Sequence, residues 1–489
     1  MRGFGMSLDP LCAHGVDLVP ARAGDLEIRE IAAASLERLI EAGITAQRRA
    51  ASLGLEERLS VFRSLAEAWQ RRLSGGSLEN LMADLAKSTG YSRRLMEAEF
   101  RLVGSALDRG SLLRNLQSSL GDPASLERFV ETGPGQYVRH MPAGPVFIIS
   151  SGNSLIPPLI PTALSLATGN FTILRPSLSN YRGVVEVLRP VQEIGTSAAK
   201  LFSELLVIGY FRHDSPALAE MLSRSRLGVI NFWGGEPART EVSRKVSENP
   251  HHPRLVINGP LTGVAVVDRD SAGRTAAEGL AANIVMYDQQ LCSSPTTAIF
   301  IGSHGDAVGF AQSTAEALEA IGGQYPLPMP EGAAYALQSA RRLLQFRGAT
   351  LILSQSPQNL WTLVVSAGRS VMDEVAASLP DFALHARRRF LEIISVEDMD
   401  SAVRLIGSIP SMRAFRGIDR VQTVGLALTP DRAGEMAGKL AEAGVYRIVP
   451  LVDMSLRSPL EPYDGVAIPS SFTYMAYRRT TGLSLGGFG

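Results

Sequence analysis

Cys292 stands in the run Met286-Tyr-Asp-Gln-Gln-Leu-Cys-Ser-Ser-Pro-Thr296. This run connects a stretch that Ser271 can cap as a helix to a strand beginning near Thr297. A cysteine in such a connection can face open space, as a nucleophile must; by position alone the favoured reading is a small buried hydrophobe, which is what most free cysteines are. The carboxyl end of a helix is its negative pole, which opposes thiolate formation there unless other groups compensate. Asn153 lies in Ile149-Ser-Ser-Gly-Asn-Ser154, a turn that follows a strand and precedes a helix. Turns of this kind sit at the carboxyl edge of open α/β sheets, where ligands bind. The Asn153 amide could donate to a developing oxyanion, or it could simply form the turn. Asn231-Phe-Trp-Gly-Gly-Glu236 is a second strand-to-helix turn. Gly234 and Gly235 would admit a pyrophosphate to the N–H groups at the next helix start, although any tight turn uses such a pair. Glu236 is unfavourable beside a phosphate unless it points away. Arg175, in Ile173-Leu-Arg-Pro-Ser177, ends a third strand as an anion or ribose ligand or as a surface cation.

Other chemistries fit poorly. His251 and His252 are adjacent and cannot share a helix face, and Pro250 breaks the Glu-x-x-His spacing from Glu248, so no metal site is expected. Ser150-Ser151-Gly152 is not a nucleophile elbow. Cys12 and Cys292 are the two cysteines, too few for a disulfide framework. With 48 Lys+Arg against 48 Asp+Glu the chain carries no net charge, which argues against a nucleic-acid binder. Hydrophobic residues make up 45% of the chain, ample for a large core. The charge-free stretch Met141–Leu174 is long enough for a membrane span, but Pro142, Pro145, Pro157, Pro158 and Pro161 interrupt it. The N-terminus lacks the apolar core of a signal peptide. The expectation is a soluble cytoplasmic protein with no membrane partner.

The elements that must position these residues follow from hydrophobic periodicity. From Glu27 to about Leu120 the pattern is helical, and Phe129-Val130 and Tyr137-Val138 flank Thr132-Gly-Pro-Gly135 as a hairpin. Apolar runs at Val146–Ile149, Phe171–Leu174, Leu205–Ile208, Leu227–Phe232 and Leu255–Ile257 then alternate with helical stretches, which predicts parallel βαβ units. A second such series runs from Val264–Val267 through Thr297–Ile301 and Thr362–Val365 to Arg447–Val449. Two α/β domains are therefore expected.

Taken in order, the turns resemble the aldehyde dehydrogenase superfamily. Ala143-Gly-Pro-Val146, Asn153, Leu166-Ala-Thr-Gly-Asn170 and Ile173-Leu-Arg-Pro-Ser177 are similar to its cofactor domain. Phe232-Trp-Gly-Gly235 is similar to its glycine turn, and Cys292 falls where its nucleophile sits. Met286-Tyr-Asp-Gln-Gln-Leu-Cys-Ser-Ser-Pro295 and Tyr463-Asp-Gly465 resemble more closely the bacterial-luminescence (LuxC-like) type of fatty acyl-CoA reductase. The resemblance implies an α/β fold with a Rossmann-type cofactor domain, an α/β catalytic domain and an oligomerisation hairpin. It sets out a loosely ordered N-terminus (1–26), a cofactor domain (27–257, hairpin 126–140), a catalytic domain (258–455) and a C-terminal segment (456–489) returning to the cofactor domain.

The resemblance also implies a mechanism. The Cys292 thiolate attacks an acyl thioester, acyl-CoA or acyl-carrier, while the Asn153 amide and the Cys292 N–H hold the oxyanion. Hydride from NADPH then reduces the acyl-enzyme to aldehyde. Arg175 and Ser177, with Gly234 and Gly235, are the implied cofactor residues, and Glu392 in Leu391-Glu-Ile-Ile394 is the implied nicotinamide-ribose ligand. Hydrolytic relatives carry a glutamate base where Leu255-Val-Ile-Asn-Gly-Pro260 places Val256, which favours a reductase. An acidic residue of many NAD-dependent members is Leu178 here, which favours NADPH over NADH. An oxidative aldehyde dehydrogenase, or a cysteine acyltransferase or thioesterase without hydride transfer, are the alternatives. A homodimer or homotetramer and an acyl-activating partner enzyme complete the expectation.

Overall fold

The computed structural model describes residues 9–480 except 14, 25, 328, 355, 381 and 383–386. It divides into two units, one of Met1–Ser88, Glu99–Asn258 and Pro459–Gly489, the other of Thr89–Ala98 and Gly259–Ser458. The first regular element is an antiparallel hairpin, β1 (Leu18–Ala23) with β2 (Leu26–Ile31). Of the expected loose N-terminus (1–26), residues 1–8, 14 and 25 lie outside the described residues; the helix expected from Glu27 is replaced by β2, and the first α-helix begins at Leu36. Ile28, Glu30 and Ile31 are all buried on β2, and the Glu30 carboxylate accepts the Arg212 N–H, a tertiary contact that local periodicity does not encode.

Helices α1 (Leu36–Ala50), α2 (Leu55–Ser74), α3 (Glu79–Thr89), α4 (Arg93–Ala106) and α5 (Arg109–Leu120) follow. On α1, Leu36, Leu39, Ile40, Gly43 and Ala46 form the buried face at helical spacing. Gly43 is required there, because a Cβ would lie 2.2 Å from the Phe171 ring. The predicted hairpin is present as β3 (Val130–Gly133) and β4 (Gln136–Pro142).

The stretch Met141–Leu174 resolves into β5 (Val146–Ile149), the twelve-residue α6 (Ile156–Ala167) and β6 (Thr172–Arg175). Among the described residues no helix is long and apolar enough to cross a membrane. The unit continues through α7 (Tyr181–Leu188), α8 (Ser197–Leu205), β7 (Leu206–Ile208), α9 (Pro216–Ser223), β8 (Val229–Trp233), α10 (Ala238–Ser247) and β9 (Arg254–Asn258). These strands form an all-parallel sheet in the order β7-β6-β5-β8-β9. The order reverses between β5 and β8, and ligands of such sheets bind outside the carboxyl ends at that reversal.

The second unit holds β10 (Leu261–Asp268), α11 (Arg274–Val285), β11 (Pro295–Ile301), α12 (His304–Gly322), α13 (Glu331–Phe346), β12 (Thr350–Leu353) and β13 (Thr362–Ala367). It continues with α14 (Met372–Ser378), β14 (Phe390–Val396), α15 (Met399–Ser408), β15 (Arg420–Ala427), α16 (Pro430–Glu442) and β16 (Arg447–Pro450). The strand order is β12-β13-β14-β11-β10-β15-β16, with β12 alone antiparallel. On β10, Val264 and Val266 pack into one core and Ala265 and Val267 into another. Alternate side chains thus enter two buried layers, which is why the strand reads as an unbroken apolar run.

The chain returns to the first unit through α17 (Ile468–Ser471) and β17 (Thr473–Arg479), which pairs antiparallel with β4. The Leu166-Ala-Thr-Gly-Asn170 motif secures this return. The Asn170 Nδ2 donates to the Phe472 carbonyl at 3.0 Å, and its Oδ1 accepts the Gly144 N–H at 3.2 Å.

Candidate active site

The Cys292 loop is built on backbone that few residues adopt. Tyr287, Asp288 and Gln289 have φ of 54°, 47° and 66°, three left-handed residues in succession without a glycine. Buried side-chain contacts hold them there. Arg389, 1% exposed, donates through Nε (2.8 Å) and Nη2 (2.5 Å) to Asp288 Oδ1. Its remaining donors reach Asn359 Oδ1 and the Gly322 and Tyr325 carbonyls, so all five N–H groups have acceptors. Gln289 Nε2 donates to the Pro295 and Phe390 carbonyls, while its Oε1 accepts the Phe390 N–H at 2.8 Å. Gln290 Nε2 donates to the Arg387 carbonyl. The Tyr-Asp-Gln-Gln part of the motif is therefore scaffold, and what it presents is Cys292. That residue is exposed, and its Sγ accepts a hydrogen bond from Gln422 Nε2 at 3.1 Å. Cys292 precedes the amino end of β11. A 740 Å³ cavity lined by Ser303, His304 and Arg404 opens instead at the carboxyl ends of β11, β13 and β14.

In the first unit the turn after β5 is tied at several points. Ser151 Oγ donates to Asn153 Oδ1 at 3.1 Å, and Asn180 Nδ2 donates to the Ser151 and Ser154 carbonyls. Ser177 Oγ contacts Ser179 Oγ at 3.3 Å, and Ser179 Oγ donates to the Gly152 carbonyl. A Cβ on Gly152 would come within 2.4 Å of both serine hydroxyls, so Asn153 and Ser177 belong to one packed turn. Arg175 ends β6 with its Nε on the Phe211 carbonyl (2.9 Å) and its guanidinium 4.8 Å over the Tyr210 ring. Burial lowers its pKa below the ordinary arginine value.

Glu99, which the sequence reading missed, lies beneath this turn. It is 1% exposed, and its Oε1 accepts from Ser154 Oγ and from the Leu155 N–H. Burial outweighs these hydrogen bonds and pushes its pKa up to about 7 from the ordinary 4.5. The folded protein therefore binds a proton more tightly than the unfolded chain. The stability associated with the neutral carboxyl is fully present below pH 4.5 and is lost as pH rises towards 7. Glu99→Gln keeps the acceptor and removes the titration. Urea unfolding is expected to show the variant gaining about 3 kcal/mol on the wild type between pH 4 and pH 8. Parallel pH profiles would refute this.

The glycine turn differs from expectation. Gly234 donates its N–H to the Asn258 carbonyl at 3.1 Å, and a Cβ there would lie 2.8 Å from the Phe232 ring. Packing explains that glycine, and its N–H is already used. Gly235 accepts the Arg239 N–H, the first turn of α10. Glu236 folds back onto that helix, accepting from Arg239 Nε, Thr240 N and Thr240 Oγ1. Tyr463-Asp-Gly465 packs on the same turn: Tyr463 meets Trp233 edge-on at 5.4 Å, and Asp464 Oδ2 accepts from Asn258 Nδ2. Val256 is buried in β9.

Glu392 is held within the sheet. It is 1% exposed in the middle of β14, and its oxygens accept from Ser366 Oγ, Ser370 Oγ and the Val371 N–H. Ser366 lies in β13 and the other two partners in the segment that follows it, so the carboxylate ties that segment to the sheet inside the core.

Comparison with known proteins adds the family. Residues 50–473 match the model of the acyl-CoA reductase (LuxC) family. A long-chain acyl-protein thioester reductase of Photobacterium leiognathi is 23% identical over 49% of this chain and 48% of its own length. The chain thus spans about half of that relative. A protein of the same name from Aliivibrio fischeri is 21% identical over 81% of this chain and 77% of its own. Among solved structures, an NAD-dependent benzaldehyde dehydrogenase of Corynebacterium glutamicum has a TM-score of 0.65 at 16% identity, covering 96% of each chain. An NADP-dependent glyceraldehyde-3-phosphate dehydrogenase of Bacillus halodurans C-125, complexed with NADP, has a TM-score of 0.69 at 16% identity, covering 95% of each. The fold is that of the aldehyde dehydrogenases, and with the family model spanning most of its length the chain belongs to the acyl-CoA reductase (LuxC) family.

Proposed function

We propose that this protein reduces an acyl thioester to the aldehyde through an acyl-Cys292 intermediate, with NADPH as hydride donor. The observation that carries the reading is the exposed Cys292, presented by a scaffold built on the buried Asp288, Gln289 and Arg389 and hydrogen-bonded at Sγ. The Cys292 thiolate adds to the thioester carbonyl, and collapse of the adduct breaks the bond to the donor sulfur, which leaves as a thiolate and takes its proton from solvent. Asn153 is assigned the amide that steadies the oxyanion. Bound NADPH supplies the hydride of the second half-reaction. The resulting thiohemiacetal on Sγ collapses to aldehyde and returns the thiolate. The names of the relatives favour a long-chain acyl group held on a protein as donor, with acyl-CoA as the second source.

Arg175 supports NADPH. It is a fixed cation at the carboxyl edge of β6, and residue 178 is Leu rather than an acid, which suits a 2′-phosphate. Ser177 and Gly235 share that edge and complete the proposed cofactor contacts. Tyr474, Met475 and Tyr477 are exposed on β17 and support a homo-oligomer contact there.

The test follows NADPH oxidation with a panel of acyl-CoAs and acylated carrier protein, trapping the aldehyde. Thioester-dependent oxidation with stoichiometric aldehyde establishes the reductase and ranks its donors. Release of free thiol without oxidation would point to acyl transfer instead. The apolar Val256 gives a further expectation: Val256→Glu should raise hydrolysis of the acyl-enzyme, measured as fatty acid released without cofactor. An unchanged rate would show that position 256 does not face the acyl group.

A further inference from the structure

We infer that Gln422 is a catalytic residue, donating a hydrogen bond to Cys292 Sγ so as to stabilise the thiolate that attacks and the thiolate that leaves. The inference rests on Cys292 being the nucleophile. Gln422 is 1% exposed, and Thr423 Oγ1 donates to its Oε1 at 3.1 Å, which turns Nε2 towards Sγ at 3.1 Å. A backbone irregularity aims it. Between β10 and β15, Thr262 pairs with Val421 and Gly263 with Thr423, so Gln422 is the extra residue of a bulge. Between β10 and β11, Gly263 pairs with Pro295 and Val264 with Thr297, so Thr296 is extra at the same level. Bulges redirect a side chain out of the regular alternation and recur beside active sites. Gly263, between the two, must be glycine: a Cβ would lie 2.4 Å from the Ser293 carbonyl oxygen and 2.6 Å from that of Ser294. The backbone following Cys292 thus rests directly on β10, which brings Sγ within reach of Gln422.

An amide donor at sulfur favours the anion over the thiol, offsetting the negative helix end upstream. It serves both half-reactions, because Sγ is the attacking atom in the first and the leaving atom in the second.

The test is the pH dependence of Cys292 alkylation by iodoacetamide in the full-length protein, read by mass spectrometry, with Cys292→Ala as blank. Cys12 does not interfere, since burial pushes its thiol up to about 11. Gln422→Ala should move the midpoint upward by about one pH unit and slow labelling at pH 7 about threefold to tenfold. Gln422→Met, close in volume and without a donor, should give the same shift and serves if the alanine variant does not fold. Gln422→Glu should shift it further by placing a carboxylate at the sulfur. A midpoint unmoved in folded Ala or Met variants overturns the proposal. Shifted midpoints without an acyl-enzyme on thioester addition would overturn the reductase reading and leave the Gln422–Cys292 coupling standing.

Discussion

Cys292→Ala is expected to abolish aldehyde formation, a loss on the order of 10⁵-fold or more in turnover. Without Sγ no acyl-enzyme can form, and nothing else among the site residues replaces it: Cys12 is buried at 6% exposure with its thiol pushed up to about 11. The expectation separates chemistry from folding. Cys292 is exposed, so alanine leaves no cavity, and stability should stay within about 0.5 kcal/mol of wild type. NADPH affinity, measured by fluorescence titration, should also persist, because the proposed contacts around Arg175 lie on the β5–β9 sheet, whereas Cys292 precedes β11. Retained turnover would refute the assignment of the nucleophile. Loss of both turnover and NADPH binding would show that the substitution acts through structure.

The second large effect concerns the scaffold. Arg389→Met keeps much of the side chain's volume but strands the Asp288 carboxylate, which is 2% exposed. Removing one partner of a buried pair costs about 3–5 kcal/mol, because the remaining charge has lost its compensation. Here the cost is coupled to function. Asp288 is the middle of three left-handed residues, and Arg389 is what holds its side chain. Once released, Tyr287–Gln289 can relax to ordinary backbone, and the loop that presents Cys292 changes course. Chemical denaturation should therefore show the stability loss, and alkylation of Cys292 in the still-folded fraction should lose its defined pH midpoint. The double variant Asp288→Asn/Arg389→Met should recover part of the stability, since no charge is then left unpaired. No loss in the single variant would mean that water reaches Asp288.

The α/β alternation, the hairpin before β5 and the helix-to-strand position of Cys292 were all legible in the chain. Strands such as Val146–Ile149 and Thr297–Ile301 announce themselves because a buried parallel strand is apolar on both faces. The motif around Cys292 was legible too, but its division of labour was not. Tyr287, Asp288, Gln289 and Gln290 stood only as part of a run that resembles a family, and in the structure they shape the loop. Glu392 reads as a cofactor ligand and is a buried tie; Gly234 reads as a phosphate turn and makes room for Phe232.

Local pattern was enough for the strands of the two large sheets, their order along the chain and the nucleophile candidate, though not for the β1–β2 hairpin, because periodicity, turn residues and short motifs act over a few neighbouring residues. Tertiary structure alone chose the partners. Arg389 meets Asp288 across 101 residues, Gln422 meets Cys292 across 130, and Glu99 meets Ser154 across 55. A lone Gln in a strand or a Glu in a helix carries no local sign of these roles. Burial raises the cost of leaving such groups unpaired, and that cost selects the distant partner only once the chain has packed.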